Sequence, residues 1–400
     1  MEAEAHPPRP QSCGGGRLRK QGRGMDFRLN DEQQAIADMA GRLFSDHCTD
    51  ERQAAFDRSG APFDDELWRK VIDSGLQALA LDSEAGGNGL GMTELMLVLE
   101  AQGRALAPVP LWRHQLAAAT WSRFGGTAAI EPVREAVAGS GLLTLSLDGM
   151  FEARGLRLAA RRDSDGWCLT GTSPAVALAG QSRRALLPAS LGNGVGLFAL
   201  DLTAAGLRRV EGVFTHGEAV ADVVCEGVVL PEAALLPPSA LPWLHQRAMA
   251  AIAALQLGVS AEQLRRTAAY LSERRQFDRA IATFQAAQMQ MADGYILLEV
   301  LRSSLWQLCY RLDSGADAAA EADATKYLAG EAGHRIGHLA QHLHGGIGVD
   351  VSYPIHRFQL WSRALGMTHG GSAAALSRLG DWLAGHEVLG WKYDLESMPA

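Results

Sequence analysis

Cysteine is scarce in this chain, and no cysteines are paired in sequence. The five residues, Cys13, Cys48, Cys168, Cys225 and Cys309, form no CxxC motif. This spacing disfavours both a disulfide framework and a zinc-binding module. It fits a reducing compartment, so we predict a cytoplasmic location.

Positive charge and long apolar runs are also lacking. Lys and Arg total 37 against 45 Asp and Glu, a net charge of -8. Phosphate backbones are bound by clustered cations, so this balance disfavours a nucleic-acid partner. No uncharged apolar stretch reaches the roughly 18 residues of a membrane span, so we predict none. Residues 1–24 contain a basic run but no apolar signal core, and we interpret them as a disordered tail or an upstream start.

What the chain has is a hydrophobic content of 47%, enough for a large core. Its patterning changes twice, from helical periodicity to short β-prone segments and back. We therefore predict an α+β protein. It has an N-terminal helical domain at 25–138, a middle antiparallel β-barrel or sandwich at 139–237, and a C-terminal four-helix bundle at 238–400.

Local signals refine the helical sections. Asn30 and Gln33 predict a capping box at the start of the first helix. Gly258 follows an Ala-rich run and predicts close helix packing. A helix at 291–312 is predicted to bury four residues: Ile296, Leu297, Val300 and Leu301.

The β-prone segments are short and separated by turn residues. They span 142–147, 156–160, 167–169, 185–188, 196–200 and 223–230.

The segment 270–293, YLSERRQFDRAIATFQAAQMQMAD, carries the most informative pattern. Its apolar residues Ile281, Phe284, Met289 and Ala292 predict a helix–bend–helix with one buried face. Arg, amide and aromatic side chains within it can offer planar donors to a phosphate and flat surfaces to a ring system. An ordinary basic helix end would also explain these residues.

The pattern RxQF followed by IxxFQ resembles the signature of the acyl-CoA dehydrogenases, a family of FAD-dependent flavoenzymes. The resemblance implies that Arg274, Gln276, Phe277 and Gln285 contact the pyrophosphate and adenosine part of FAD bound to a neighbouring subunit. The family usually has Gly where this chain has Asp278.

A second match is the GGxG turn that begins at Gly345 and Gly346. In the family these glycines let the backbone approach the neighbouring subunit's FAD. The family usually has Gln where this chain has His342, and Gln341 lies beside it, so either side chain would donate to the cofactor. A helix-ending Schellman turn at Gly345 is compatible with that role.

Three histidines, His334, His338 and His342, recur every four residues and could present imidazoles to a metal. No carboxylate or Cys joins them at a confirming position. We predict a polar helix face at a subunit contact and no metal site.

The position of the catalytic base departs from the family. Acyl-CoA dehydrogenases remove the α-proton of an acyl-CoA with a carboxylate, usually a Glu fifteen residues after the Pro of the GGxG segment. Here Pro354 leads to His369, and the alternative base position on an earlier helix is Ala248. The family's flavin-holding loop is likewise replaced here by residues 144–155. Its Trp beside the flavin ring is replaced by residues 176–178.

The losses concern the chain's own flavin and substrate, whereas the elements that reach a neighbour's flavin are kept. We therefore interpret the chain as the cofactor-completing subunit of a heteromeric enzyme, whose partner supplies the catalytic Glu. Such heterotetramers of this family occur in actinobacteria, often act on bulky acyl-CoAs such as steroid side chains, and pass electrons to an acceptor flavoprotein. Two alternatives stay open: a self-sufficient homotetramer with His369 as base, and a flavin-free structural subunit.

Overall fold

The computed structural model describes residues 28–164 and 166–386. The predicted tail at 1–24, Asp165 and the end of the predicted C-terminal section lie outside these residues. Six helices come first: α1 (Asp31–His47), α2 (Asp50–Ser59), α3 (Asp65–Asp73), α4 (Met92–Ala105), α5 (Leu111–Phe124) and α6 (Ile130–Val137). Seven strands follow: β1 (Leu143–Leu145), β2 (Leu158–Asp163), β3 (Gly166–Ala177), β4 (Arg184–Ser190), β5 (Val195–Asp201), β6 (Leu207–Val213) and β7 (Ala219–Pro231). The rest comprises α7 (Ala240–Glu273), β8 (Arg275–Gln276), β9 (Arg279–Ala280), α8 (Gln285–Asp313), α9 (Ala319–His344), α10 (Ile355–Met367) and α11 (Gly371–Ala384).

The predicted succession of helical, β and helical sections is confirmed. At the start of α1, the Gln33 backbone N–H donates to Asn30 Oδ1 at 2.8 Å, and the Asn30 N–H donates to Gln33 Oε1 at 3.1 Å. This reciprocal pair is the predicted capping box, and it satisfies two backbone donors that the helix leaves free.

The middle section is one mixed sheet with the order β1-β4-β2-β3-β7-β6, and β5 also pairs with β4. Most neighbours are antiparallel, as predicted, but β1 and β2 each pair with β4 in parallel. The strand β6 (LRRVEGV) was missed, because it lies at the end of this order and all of its residues are partly or fully exposed. An edge strand that buries neither face lacks the alternation from which strands are recognised.

The first and last helical sections share one hydrophobic core, and the sheet encloses a second. Their junction depends on Gly258 of α7, where an added Cβ would collide with the backbone carbonyl oxygen of Glu100 on α4. Close packing at this glycine is therefore confirmed. No helix among the described residues is long and apolar enough to cross a bilayer.

The prediction for the buried face of α8 was partly wrong. Leu301 is fully buried, but Ile296 is 61% exposed, Val300 44% and Met289 62%. The apolar pattern of this helix is wider than the face that its own neighbours α4, α7 and α9 cover. Periodicity identifies apolar stripes but not which chain covers them, and this stripe is left open by the chain's own packing.

Candidate functional site

The two motif segments meet at one end of the C-terminal helices. Tyr270 in the last turn of α7 stacks on His344, the last residue of α9, with ring centroids 4.4 Å apart. The Tyr270 hydroxyl also donates to the His344 carbonyl at 3.4 Å. The fold therefore brings the predicted cofactor residues after α7 and those at the end of α9 to one surface, which we call the bundle end (residues 270–285 and 341–351).

The bend predicted in segment 270–293 is a tight β-hairpin, in which β8 pairs with β9. Its two turn residues, Phe277 and Asp278, have φ values of 52° and 64°. The left-handed region is unfavourable for most side chains, and Asp tolerates it better than Phe. The Gly that the family has at position 278 would satisfy the same requirement, so Asp278 keeps the turn.

Phe277 contributes little to the packing of its own chain. Its ring contacts Phe284 edge-on at a centroid distance of 6.2 Å, and the side chain is 87% exposed. A strained backbone that holds an aromatic ring in solvent is typical of a surface that binds something else.

Several polar side chains at the bundle end are available for a ligand. Arg275 is held within the hairpin by the Asp278 carbonyl, and Arg279 lies over the Phe284 ring at 3.9 Å. The Arg274 guanidinium, by contrast, has no ion-pair or hydrogen-bond partner within the described chain. Gln276, Gln285 and His342 are exposed residues of the same bundle end.

The glycine turn leaves its backbone open. Gly345 ends α9 with a φ of 63°, and a Cβ added at Gly345 or Gly346 would meet nothing within 4 Å. Internal packing therefore does not require glycine at position 346. Next to the turn, Oε1 of Gln341 is buried without a partner in the described chain. Open glycine backbone, an unpaired guanidinium and exposed aromatic surface fit a ligand that carries phosphates and rings, as FAD does.

His369 lies in a different place, inside the protein. It is fully buried in the left-handed region at a φ of 56°, in a short turn between α10 and α11. Its Nε2 accepts the Leu147 backbone N–H at 3.3 Å, and its own backbone N–H donates to Asp148 Oδ1 at 2.6 Å. Because Nε2 accepts, Nδ1 carries the ring proton, and this atom has no partner among the described residues.

The electrostatic environment keeps the His369 ring neutral. Burial, with contributions from Arg113, His245, Lys326 and Arg378, holds the pKa of His369 well below its usual value. A general base must reach its substrate with a free lone pair and then carry a positive charge. The lone pair of His369 is engaged by the Leu147 N–H and the ring is fully buried, so the geometry gives the predicted base role no support.

The loop at 144–155, which replaces the family's flavin loop, folds onto the His369 turn. Phe151 packs so closely on Gly370 that a Cβ there would lie 2.6 Å from its ring. Arg378 covers the same ring at 4.8 Å, and His369 stacks on it at 6.5 Å. These contacts fill the interior with the chain's own side chains.

Little space remains between the sheet and the helices. The cavity bounded by Trp112, Arg113, Trp361 and neighbouring residues measures about 50 Å³, and an adjoining one at His356 and Leu360 measures about 200 Å³. Cofactor and ligand pockets usually measure roughly 300–1,000 Å³. In this conformation the chain has no room there for a flavin ring or an acyl thioester.

A buried lysine supports the same turn, and the sequence interpretation missed it. Lys326 of α9 is fully buried, and its Nζ donates to the carbonyl oxygens of Leu365 at 2.7 Å and Gly366 at 3.3 Å. Burial lowers the pKa of Lys326 to about 7. A neutral amine has two hydrogens, so it can satisfy both carbonyls without a charge. Its spacing along the helix could have revealed it, because Lys326 lies four residues after Ala322 and three before Ala329, and both alanines are buried.

Lys326 should make the stability of the protein depend on pH. Between pH 7 and the unfolded value of 10.5, the unfolded chain binds one proton more than the folded chain, so stability rises with pH by up to about 1.4 kcal/mol per unit. Below pH 7 the cost of burying the charged amine is fully present. We expect Lys326→Met to flatten this rise, measured as unfolding midpoints at pH 7 and pH 9.

Lys70 provides the control, since it is a surface lysine within 3.9 Å of Glu66. Lys70→Met should keep the slope of the parent protein. An equal slope in the parent and in Lys326→Met would contradict the expectation.

The histidine stripe contains a ring contact. His334 and His338 touch edge-to-face with centroids 4.5 Å apart. Among residues 28–164 and 166–386, no group of three or more His, Cys, Asp or Glu side chains is arranged to hold a metal ion.

Comparison with known proteins identifies the family. Residues 30–131 match the family model for the acyl-CoA dehydrogenase N-terminal domain, and residues 244–384 match that for the C-terminal domain. The chain is 34% identical over 371 residues to acyl-CoA dehydrogenase FadE27 of Mycobacterium tuberculosis, covering 90% of this chain and 99% of that protein.

Two solved structures are similar along nearly their whole length. One is a variant of the Tcur3481-Tcur3483 steroid ACAD, with 39% identity, a TM-score of 0.84, and coverage of 88% of this chain and 98% of that chain. The other is the ChsE4-ChsE5 complex of Mycobacterium tuberculosis, with 33% identity, a TM-score of 0.86, and coverage of 90% and 100%. Both family models and a relative that spans the chain agree, and the protein belongs to the acyl-CoA dehydrogenase family.

Proposed function

We propose that this chain is the cofactor-completing subunit of a heteromeric, FAD-dependent acyl-CoA dehydrogenase. Its bundle end contributes to the FAD site of a second acyl-CoA dehydrogenase subunit, and that partner supplies the carboxylate base. The observation that carries the proposal is the contrast between two regions of the chain, the bundle end and the interior around His369. At the bundle end the Arg274 guanidinium has no partner among the described residues and the Gly345–Gly346 backbone is exposed, whereas the interior around His369 is filled by the chain's own side chains.

Within this proposal the predicted cofactor residues of the bundle end each have a role in holding FAD. Arg274 provides a charge for the pyrophosphate, and Gln276, Gln285 and Gln341 or His342 provide donors. The Phe277 ring provides a flat surface for the adenosine part. Gly345 and Gly346 leave their backbone open to the cofactor.

FAD held there would supply the acceptor for the β-hydrogen of the acyl-CoA, and an acceptor flavoprotein would be the later recipient of the electrons. This chain orders one end of the cofactor across a subunit contact. Its exposed α8 residues Met289, Ile296 and Val300 offer apolar surface for that contact. A contact surface that is already ordered before the subunits associate loses less conformational entropy on binding than a flexible loop would.

The relatives suggest the substrate class. One similar structure is described as a steroid ACAD, and another is a complex named for two components. By this likeness we propose a bulky acyl-CoA, such as the thioester of a steroid side chain, as the substrate of the assembled enzyme.

The proposal is tested by flavin content. The chain should be purified alone and after co-expression with an acyl-CoA dehydrogenase subunit encoded beside it. We expect little or no flavin with the isolated chain and about one FAD per heterodimer, because the interior site of this chain is closed. Flavin absorbance and subunit mass together give the ratio.

The alternatives predict other ratios. A self-sufficient homotetramer would carry about one FAD per chain without a partner. A flavin-free structural subunit would assemble with the partner, yet its bundle-end substitutions would leave the FAD content unchanged. Either result would replace the proposed role.

A further inference from the structure

The strand β6 has an unpaired edge. It lies at the end of the strand order and, among the described strands, pairs with β7 alone. Its register with β7 is unbroken, from Leu207 opposite Cys225 to Val213 opposite Ala219. None of its seven residues is buried. Within the described chain, the outer edge of β6 is therefore free to pair with another strand.

Hydrogen bonds at the two ends of β6 show which backbone groups face outward. Before the strand, the Glu226 N–H donates to the Gly206 carbonyl at 2.8 Å. After it, the Phe214 N–H donates to the Glu218 carbonyl at 2.9 Å. In an antiparallel ladder such bonded pairs recur at every second residue. The even-numbered residues of β6 therefore bond to β7, and the backbone groups of the odd-numbered residues point away from it.

Two of the odd-numbered residues carry opposite charges. Arg209 and Glu211 lie on the same face of β6, with Arg209 Nε 3.6 Å from a Glu211 carboxylate oxygen. Their side chains are 35% and 61% exposed. Charges on an edge strand usually prevent pairing with another chain. In β6, however, their effect depends on the register of the pairing.

The register decides which charges meet when two copies of β6 pair about a two-fold axis. An axis at position 209 would place Arg209 opposite its own copy, and an axis at 211 would do the same to Glu211. Like charges directly opposite each other are destabilising. An axis at Val210 instead places the Arg209 of each copy opposite the Glu211 of the other.

The register centred on Val210 also suits the backbone and the other side chains. It pairs odd-numbered residues with odd-numbered residues, so the outward N–H and C=O groups of the two strands meet and bond. Leu207 lies opposite Val213. Arg208 lies opposite Gly212, which has no side chain to collide with it. Because Val210 is 49% exposed and Val213 71%, the pairing would also cover apolar surface.

We propose that β6 is a self-association edge, through which two copies of this chain join their sheets antiparallel about Val210. The partner is a second copy, because Arg209 and Glu211 are complementary to the same strand in the reverse direction. No residue of β6 belongs to the bundle end, so this association does not depend on FAD or on the role proposed for that end.

Disulfide trapping in the full-length protein tests the proposal. In the proposed register the two Val210 residues form a non-hydrogen-bonded pair, whose Cα atoms lie about 4.5 Å apart. A disulfide bridges Cα separations of about 4.4–6.8 Å. Under mild oxidation we therefore expect Val210→Cys to form covalent dimers at least about tenfold faster than Val229→Cys.

Val229→Cys is the matched control, since Val229 is a 65% exposed valine of β7 that lies beyond the residues paired with β6. The parent protein, oxidised in parallel, gives the contribution of the native cysteines.

Charge reversal in the Val210→Cys background tests the register. Arg209→Glu or Glu211→Arg alone would set like charges opposite each other, and we expect either change to slow dimer formation at least about fivefold. The two changes together restore opposite charges and should return the rate to that of Val210→Cys. Both positions are exposed, so each variant should keep the unfolding midpoint of the parent.

Equal rates of dimer formation in Val210→Cys and Val229→Cys would overturn the proposal, and so would a rate that charge reversal leaves unchanged. In the co-expressed heteromer, a disulfide from position 210 to the other subunit in place of a second copy would reject it as well.

Discussion

Arg274→Ala is expected to strip most of the FAD from the co-expressed heteromer. A charge-assisted contact to a phosphate contributes about 1.5–3 kcal/mol, so its loss should weaken FAD binding roughly 10- to 150-fold. The Arg274 guanidinium has no partner within the described chain, so its removal should cost little stability. The measurement is FAD retained after gel filtration, followed by titration of the apoprotein.

Arg69 is the matched control for this experiment. It is an exposed arginine of α3 in the N-terminal section. Arg69→Ala also removes one positive charge, but at a position distant in sequence from Arg274. This variant should retain the FAD content of the parent heteromer. Full FAD retention by Arg274→Ala with normal assembly would remove the bundle end from the cofactor site.

The sequence predicted those features of the fold that a residue type determines directly. The Asn30 capping box and the Gly258 contact are confirmed because each depends on local chemistry or on a missing Cβ. Such features leave a direct trace in the residue type. The two parallel pairings of β4 left no comparable trace, because strand direction is set by distant connections.

The candidate site was predictable only as a set of motifs. Residues after α7 and at the end of α9 are far apart in sequence, and their meeting at the Tyr270–His344 stack follows from the direction of three long helices. The exposed stripe of α8 was misassigned to the chain's own core, since periodicity gives the same signal for a subunit contact. The stripe is informative for that reason, because a folded monomer rarely leaves such residues open.

The closed interior could not be predicted from residue types. His369 occupies the position of the family's base, and a histidine suits that role at neutral pH. The lone pair is already engaged by the Leu147 N–H, and Phe151 covers the adjacent turn. These facts depend on how the replaced loop folds, which carries no motif of its own.

The last expectation compares two candidate bases in the assembled enzyme. His369→Asn keeps a residue that tolerates the left-handed backbone but has no basic nitrogen. We expect it to change kcat by less than about threefold, or roughly 0.65 kcal/mol, because His369 is buried and its Nε2 already accepts a backbone N–H. Replacing the catalytic carboxylate that we propose for the partner subunit by its amide should instead lower kcat by about 10²- to 10⁴-fold, the usual contribution of a positioned general base. Both variants must retain FAD and assembly, so flavin content and mass are measured beside the rate. A loss of about a thousandfold in His369→Asn, with both properties intact, would transfer the base to this chain.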